Sequence, residues 1–141
     1  MGIGKRNSEG YIDLTAYEAM TSVQKTEKAQ TRKYKPLVFI CSPLAGDVER
    51  NLENAQRFSR FAVEQGAIPV APHLLYPQFM DDNDPIERAL GLSFGKVLLS
   101  KCDEVWVFGE TVSPGMKQEL IKARAWGKPI KFYSADCGVR L

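Results

Sequence analysis

The sequence predicts an α/β fold: a small, doubly wound, mostly parallel sheet of four or five strands with helices on both faces, Rossmann-like or flavodoxin-like in kind. From residue 37 onwards, short apolar runs alternate with longer segments of helical spacing. The length of 141 residues suits a single domain core. The hydrophobic and charged fractions, 44% and 26%, are ordinary globular values, which excludes a disordered or fibrous chain.

Residues 1–36 are predicted to form a polar, basic arm before an α/β domain of residues 37–141. The arm carries seven Lys and Arg against four Asp and Glu, a net +3, whereas the rest carries twelve against thirteen, a net −1. One short helix is predicted in the arm, over Asp13–Met20, because its apolar residues recur every third position. A basic nucleic-acid-binding core is therefore disfavoured, although an arm that recruits a polyanion or a partner stays an alternative function.

The first half of the domain is divided into elements by apolar runs, glycine and proline. The uninterrupted apolar run Leu37–Cys41 predicts a strand buried on both faces. Apolar residues at helical spacing predict a helix over Asn51–Gln65, and Gly66 supplies its C-terminal stop. A short strand is predicted over Ile68–Ala71, at a sheet edge because it contains a proline, with a loop over Pro72–Pro77 behind it.

The second half of the domain continues the alternation. Its predicted elements are a helix over Pro85–Lys101, a strand over Glu104–Phe108, a helix over Pro114–Trp126 and a strand over Pro129–Tyr133. Asp84 and Ser113 are the predicted N-caps of the two helices, since each precedes a proline at the first helical position. Strands joined by helices pair in parallel, which gives the fold class stated above.

Ligands of doubly wound sheets bind beyond the carboxyl ends of the strands, so the loops at that edge are predicted to line a cleft. These loops span residues 42–47, 72–79 and 109–115. The hydroxyl of Ser42, the permissive backbone of Gly46 and the side chain of Asn51 suit a polar ligand. The first loop lacks the glycine patterns of dinucleotide and triphosphate sites, which disfavours those ligands.

Several candidate residues at this edge have two interpretations. The helix start at Ser113 either binds an anion through its backbone N–H groups and dipole or is a plain cap. Glu119 lies six residues further on, as a cleft carboxylate or an ordinary surface charge. His73 is either a hydrogen-bonded structural residue or a base, and Asp84 is either a cap or a catalytic acid.

No metal or other cofactor is predicted, because Cys41, Cys102 and Cys137 lie far apart and His73 is the one histidine available to join them. No apolar run approaches the roughly 18 residues of a membrane span, and the first residues lack the apolar stretch of a signal peptide. A cytoplasmic location is therefore expected.

Several sequence stretches, taken in their order along the chain, match the pattern of a known protein superfamily. They are Val38–Gly46, Asn51 with Ala55, Gly66–His73, Cys102–Gly109, and Ser113–Glu119 with Ala123 and Gly127–Pro129. Together they resemble the nucleoside 2-deoxyribosyltransferase-like superfamily over about residues 37–133, in particular its small bacterial and phage branch. The resemblance implies cleavage of an N-glycosidic bond, with Glu119 as the nucleophile on the anomeric carbon and a second acid that assists departure of the base.

The resemblance also indicates a substrate class. Deoxyribosyltransferases hold an acid that binds the sugar hydroxyl where this chain has Ser113, whereas related nucleoside 5′-monophosphate N-glycosidases carry serine there and bind phosphate. A phosphorylated nucleotide, hydrolysis, and phosphate contacts from Ser42 and Ser113 are therefore favoured over deoxyribosyl transfer. The residues expected to contact substrate are Ser42, Pro43, Gly46, Asn51, His73, Gly109, Ser113, Gly115 and Met116.

The chain departs from the family pattern at two positions. Phe39 stands where the family usually has a tyrosine, and the helix aspartate of the family falls at about Gly95. Either Asp84 or Glu87 replaces that second carboxylate, or the chain is a non-catalytic nucleotide-binding or sensor module. The superfamily resemblance further implies a homo-oligomer with its sites near the interfaces.

Overall fold

Residues 34–139, the part of the chain that the computed structural model describes, form a four-stranded parallel sheet with helices on both faces. The elements in chain order are β1 (Leu37–Cys41), α1 (Val48–Glu64), β2 (Ile68–Val70), α2 (Pro72–Leu75), a 3-10 turn (Tyr76–Gln78), α3 (Pro85–Lys101), β3 (Glu104–Phe108), α4 (Pro114–Ala125) and β4 (Ile130–Tyr133). The predicted arm of residues 1–36, with its helix over Asp13–Met20, lies outside the described residues except for its last three positions.

The strand order in the sheet is β2-β1-β3-β4, and all three pairings are parallel. The chain moves from β1 to β2 in one direction and then crosses back past β1 to reach β3. The direction of winding therefore reverses between β1 and β3, where Cys41 is in register with Val107. The carboxyl ends of these two strands are the place where a doubly wound sheet binds its ligands.

The core has two layers because the side chains of β1 alternate between the two faces of the sheet. Phe39 and Cys41 pack with α3 and α4 on one face. Val38 and Ile40 pack on the other face with α1, where the Phe58 ring stacks on Phe108 with 4.3 Å between ring centroids. Burial on both faces explains why β1 has no polar residue.

The predicted fold class is confirmed, with four strands, and β1, α3 and β3 have their predicted bounds. The predicted loop over Pro72–Pro77 is wrong. It is helical, because the fixed φ of Pro72 starts α2 and the 3-10 turn follows directly. Helix α1 begins at Val48 rather than Asn51, since the Asp47 side chain accepts a hydrogen bond from the Arg50 amide at 3.2 Å and caps the helix earlier.

Candidate active site

The carboxylate of Glu119 lies at the carboxyl end of β1. On α4, Glu119 follows the buried Met116 by three residues and precedes the buried Ala123 by four, so all three share the face that packs on the sheet. Its Oε1 accepts a hydrogen bond from the Sγ of Cys41, the last residue of β1, at 3.3 Å. The side chain is therefore half-buried against the point where the sheet reverses its winding.

Burial controls the acidity of this pair. It raises the pKa of Glu119 from 4.5 to about 7, and the Cys41 hydrogen bond opposes that rise as the smaller effect. Burial, together with the nearby carboxylate, raises the pKa of the Cys41 thiol well above its ordinary value. Cys41 is therefore a thiol that donates, and Glu119 changes between acid and carboxylate near neutral pH.

Ser42 connects this pair to the neighbouring loop. It is 2% exposed, and its Oγ has no hydrogen-bond partner among residues 34–139. Its backbone oxygen lies 3.0 Å from Nε2 of His73, at the start of α2. A carbonyl can only accept, so Nε2 carries the hydrogen, and burial lowers the pKa of His73, which keeps the ring neutral. This contact ties α2 to the end of β1.

The loop between β1 and α1 is braced by Asn51. The Nδ2 group of Asn51 donates to the backbone oxygens of Leu44 and Ala45, at 2.9 and 3.1 Å. Gly46 has φ +97°, which a side chain would strain. Pro43 is half-buried in the same loop. Asn51, which is predicted to contact a ligand, thus uses its side-chain N–H groups for hydrogen bonds that hold the loop.

The start of α4 is capped in a way that limits its use for anions. Oγ of Ser113 accepts from the Met116 amide at 3.2 Å, and the Ser113 amide points at Sδ of Met116 at 3.4 Å. Pro114 has no N–H. Gly115 is therefore the residue of this first turn whose backbone N–H stays available for an anion. The Met116 side chain is buried and belongs to the core. Gly109, with φ +100°, directly follows the last residue of β3.

The predicted catalytic acid Asp84 is the N-cap of α3. Its Oδ1 accepts from the Ile86 amide at 3.0 Å. The other acid considered from the sequence, Glu87, accepts from the Asp81 amide at 2.9 Å. Neither carboxylate is hydrogen-bonded to Glu119. Gly95 lies within α3.

An open groove of about 410 Å³ lies between α1 and α2. Its lining residues are Leu52, Gln56, His73, Leu74, Pro77 and Gln78. His73 is shared between this groove and the Ser42 contact, whereas Glu119 lies outside it. The groove and the Cys41–Glu119 pair are therefore neighbouring features joined through Ser42 rather than one cavity.

The contact of Cys41 with Glu119 is the feature that sequence reasoning missed. The available signal was the alternation of β1, which places Cys41 on the same face as Phe39. Among residues 34–139, no group of three or more His, Cys, Asp or Glu side chains is arranged to hold a metal ion. None of the helices in that range combines the length and hydropathy that a membrane span requires.

A family model described as Domain of unknown function (DUF7768) matches residues 36–133. The chain belongs to this family. The matched span begins one residue before β1 and ends with β4, so it includes the whole sheet and the Cys41–Glu119 pair. No curated protein matches the sequence.

The fold is similar to that of solved enzymes. The 2-deoxyribosyltransferase from Bacillus psychrosaccharolyticus aligns with a TM-score of 0.60 and 14% identity, over 74% of this chain and 77% of that chain. The 2-desoxiribosyltransferase from Leishmania mexicana aligns with a TM-score of 0.52 and 15% identity, over 70% of this chain and 64% of that chain. The CMP N-glycosidase from Clostridium botulinum aligns with a TM-score of 0.45 and 23% identity, over 70% of this chain and 68% of that chain. The first two similarities show that residues 34–139 have the nucleoside deoxyribosyltransferase fold.

Proposed function

We propose that this chain cleaves the N-glycosidic bond between a base and a ribose or deoxyribose, in a nucleoside or nucleoside 5′-monophosphate, with Glu119 as the nucleophile. The observation that carries the proposal is the half-buried Glu119 carboxylate at the carboxyl end of β1, beside Cys41. The fold shared with two 2-deoxyribosyltransferases supports it.

The chemistry follows from what a carboxylate at this position does. An oxygen of Glu119 bonds to the anomeric carbon, the bond from that carbon to the base nitrogen breaks, and its electron pair leaves with the base, which takes up a proton. Water then attacks the ester at the same carbon, which releases the sugar and restores the carboxylate. A second base in place of water gives transfer. With a pKa of about 7, Glu119 is partly ionised at neutral pH, and the ionised fraction supplies the nucleophile.

Asp84 is the proposed source of the proton. Helix α3 follows β2 in a parallel crossover, so its start lies towards the carboxyl edge of the sheet. The cap uses Oδ1 of Asp84, which leaves Oδ2 for a substrate. The same cap favours a second candidate function, a non-catalytic nucleotide-binding module, because it gives Asp84 a structural role and leaves Glu119 without a hydrogen-bonded second carboxylate.

A phosphorylated substrate is the proposed form. The Ser42 hydroxyl is buried without a partner among residues 34–139, and a buried unsatisfied hydroxyl costs about 1–3 kcal/mol, so an acceptor oxygen on a ligand that reached it after a shift of the adjoining loop would recover that cost. The Gly115 amide at the start of α4 is a second donor. The hydroxyl hydrogen of Ser113 is the third proposed donor. The loops that carry these donors are shaped by Pro43, Gly46 and Gly109.

Base release tests the proposal. The protein is incubated with a panel of ribo- and deoxyribonucleosides and their 5′-monophosphates, and free base is measured by chromatography. Glu119→Gln should abolish release, because the amide is nearly isosteric but a poor nucleophile. Glu53→Gln removes an exposed acid from α1 and controls for lost charge. Nucleotide binding by calorimetry with no release, in the native chain and in Glu119→Gln alike, would establish the binding module instead.

Cytoplasmic location and assembly into a homo-oligomer stay predictions. Analytical ultracentrifugation of the full chain measures the second directly. A small-molecule substrate agrees with the names of the two deoxyribosyltransferases that share the fold.

A further inference from the structure

The thiol of Cys41 is enclosed between the end of β1 and helix α4. The residue is 0% exposed, and its Sγ lies 3.3 Å from Oε1 of Glu119 and 3.9 Å from the backbone oxygen of Met116. One S–H group donates to one acceptor at a time. The Glu119 oxygen is the nearer acceptor, and when Glu119 is ionised it is also the charged one, so it takes the hydrogen.

We propose that Cys41 is a positioning residue for Glu119: its thiol holds the carboxylate at the end of the sheet while stabilising the anion less than a hydroxyl would. The role in the reaction depends on the proposed function of Glu119, whereas the coupling between the two side chains does not. A thiol is a weak donor compared with an alcohol, so it orients a nucleophile without greatly lowering its basicity.

The side chains that pack around Cys41 in the core are apolar. The elements packed on this face contribute Phe39 from β1, Val107 from β3 and Leu99 from α3, all apolar and buried. The other titratable member of the same cluster is Cys102, at the end of α3, and its thiol is likewise buried. Glu119 takes part in neither of the salt bridges Arg60–Glu64 and Lys131–Glu104. Burial, which raises the pKa of Glu119, and the Cys41 thiol, which lowers it to a smaller extent, together set its acidity.

Two substitutions at position 41 separate donation from packing. Cys41→Ser places a stronger donor beside the carboxylate, and it should move the midpoint of Glu119 ionisation to lower pH by about one unit. Cys41→Ala removes the donor and should move that midpoint to higher pH. A purely structural role would disturb packing in both variants and would not shift the midpoint in opposite directions.

The readouts are a carbon-13 NMR titration of the Glu119 side-chain carboxyl and the pH profile of kcat/KM for base release. Since the nucleophile must be ionised, kcat/KM should rise with pH with the same midpoint as the NMR titration. That midpoint should lie at lower pH in Cys41→Ser and at higher pH in Cys41→Ala. Cys102→Ser and Cys102→Ala are matched controls, because they alter a buried cysteine of the same cluster that is not hydrogen-bonded to Glu119. They should leave both midpoints unchanged.

Each outcome decides the inference. If the NMR midpoint stays in place in both Cys41 variants, or moves equally in the Cys102 variants, the inference is overturned. If Cys41→Ala does not fold, the shift in Cys41→Ser alone decides, since serine keeps a donor of similar size. If the midpoints move as expected while the native chain releases no base, the proposed function fails and the coupling of Cys41 to Glu119 stands.

Discussion

Replacing Glu119 by glutamine should make the protein more stable at pH 8 and should change little at pH 4. The folded-state pKa of Glu119 is raised from 4.5 to about 7, so the protonated side chain is the form that the folded state favours. Its contribution to stability is complete below pH 4.5 and is lost as the pH rises through 7. At about 1.4 kcal/mol for each tenfold change in proton affinity, the loss reaches roughly 3 kcal/mol above pH 7. Glutamine does not titrate and keeps that stability.

Urea unfolding of the native chain and of Glu119→Gln, at pH steps from 4 to 8, measures the difference. With ordinary urea slopes for a small protein of about 1–3 kcal/mol per molar, roughly 3 kcal/mol moves the unfolding midpoint by about 1–3 M. The exposed Glu53→Gln variant controls for the change in net charge. A difference between native and Glu119→Gln chains that is the same at pH 4 and pH 8 would show that the carboxylate is solvated in the folded protein, which would refute the site geometry.

Three further substitutions test the surroundings of the site. Asn51→Ala should lower the free energy of unfolding, measured in urea, by about 1–2 kcal/mol, because two loop carbonyls lose their donor. Asn51→Asp should lower the free energy of unfolding by a similar amount, since a carboxylate cannot donate. Ser113→Ala should cost about 1 kcal/mol of stability by thermal unfolding, while Ser113→Asp keeps the cap. Asp84→Asn should retain stability, because asparagine caps as well as aspartate, but should slow base release about 100-fold or more if Asp84 supplies the proton. Unchanged release in Asp84→Asn would assign Asp84 to the cap alone.

The sheet could be predicted from the sequence because its signals are local. The strand β1 is an apolar run bounded by prolines, and α3 begins at an aspartate followed by proline, so their ends are marked in the chain. The segment after β2 was harder to predict. Two prolines within residues 72–77 are typical of a loop, yet each also suits the first turn of a helix, and tertiary packing decides between these outcomes.

The orientation of Glu119 depends on how α4 is rotated about its axis. Met116, Leu120 and Ala123 define a buried face that would have placed Glu119 inward. Ile121 and Trp126 blur that pattern, because they are apolar and yet about half exposed, at 50% and 45%. The partner of Glu119 was beyond sequence reasoning, since Cys41 is 78 residues away and the contact depends on the packing of α4 against the sheet.

Two destabilising features meet at the carboxyl end of β1. Glu119 is half-buried, which destabilises its charged form, and Ser42, the next residue after Cys41, has a buried hydroxyl without a partner among residues 34–139. Elsewhere in residues 34–139, buried side-chain nitrogen and oxygen atoms have hydrogen-bond partners. An unpartnered buried polar group is explained by strain, by a catalytic or binding role, or by an ordered water. If the loop after β1 shifted to admit a ligand, an acceptor oxygen placed against Ser42 would recover the cost of its unpaired hydroxyl, and bond formation to Glu119 would remove the cost of its charge.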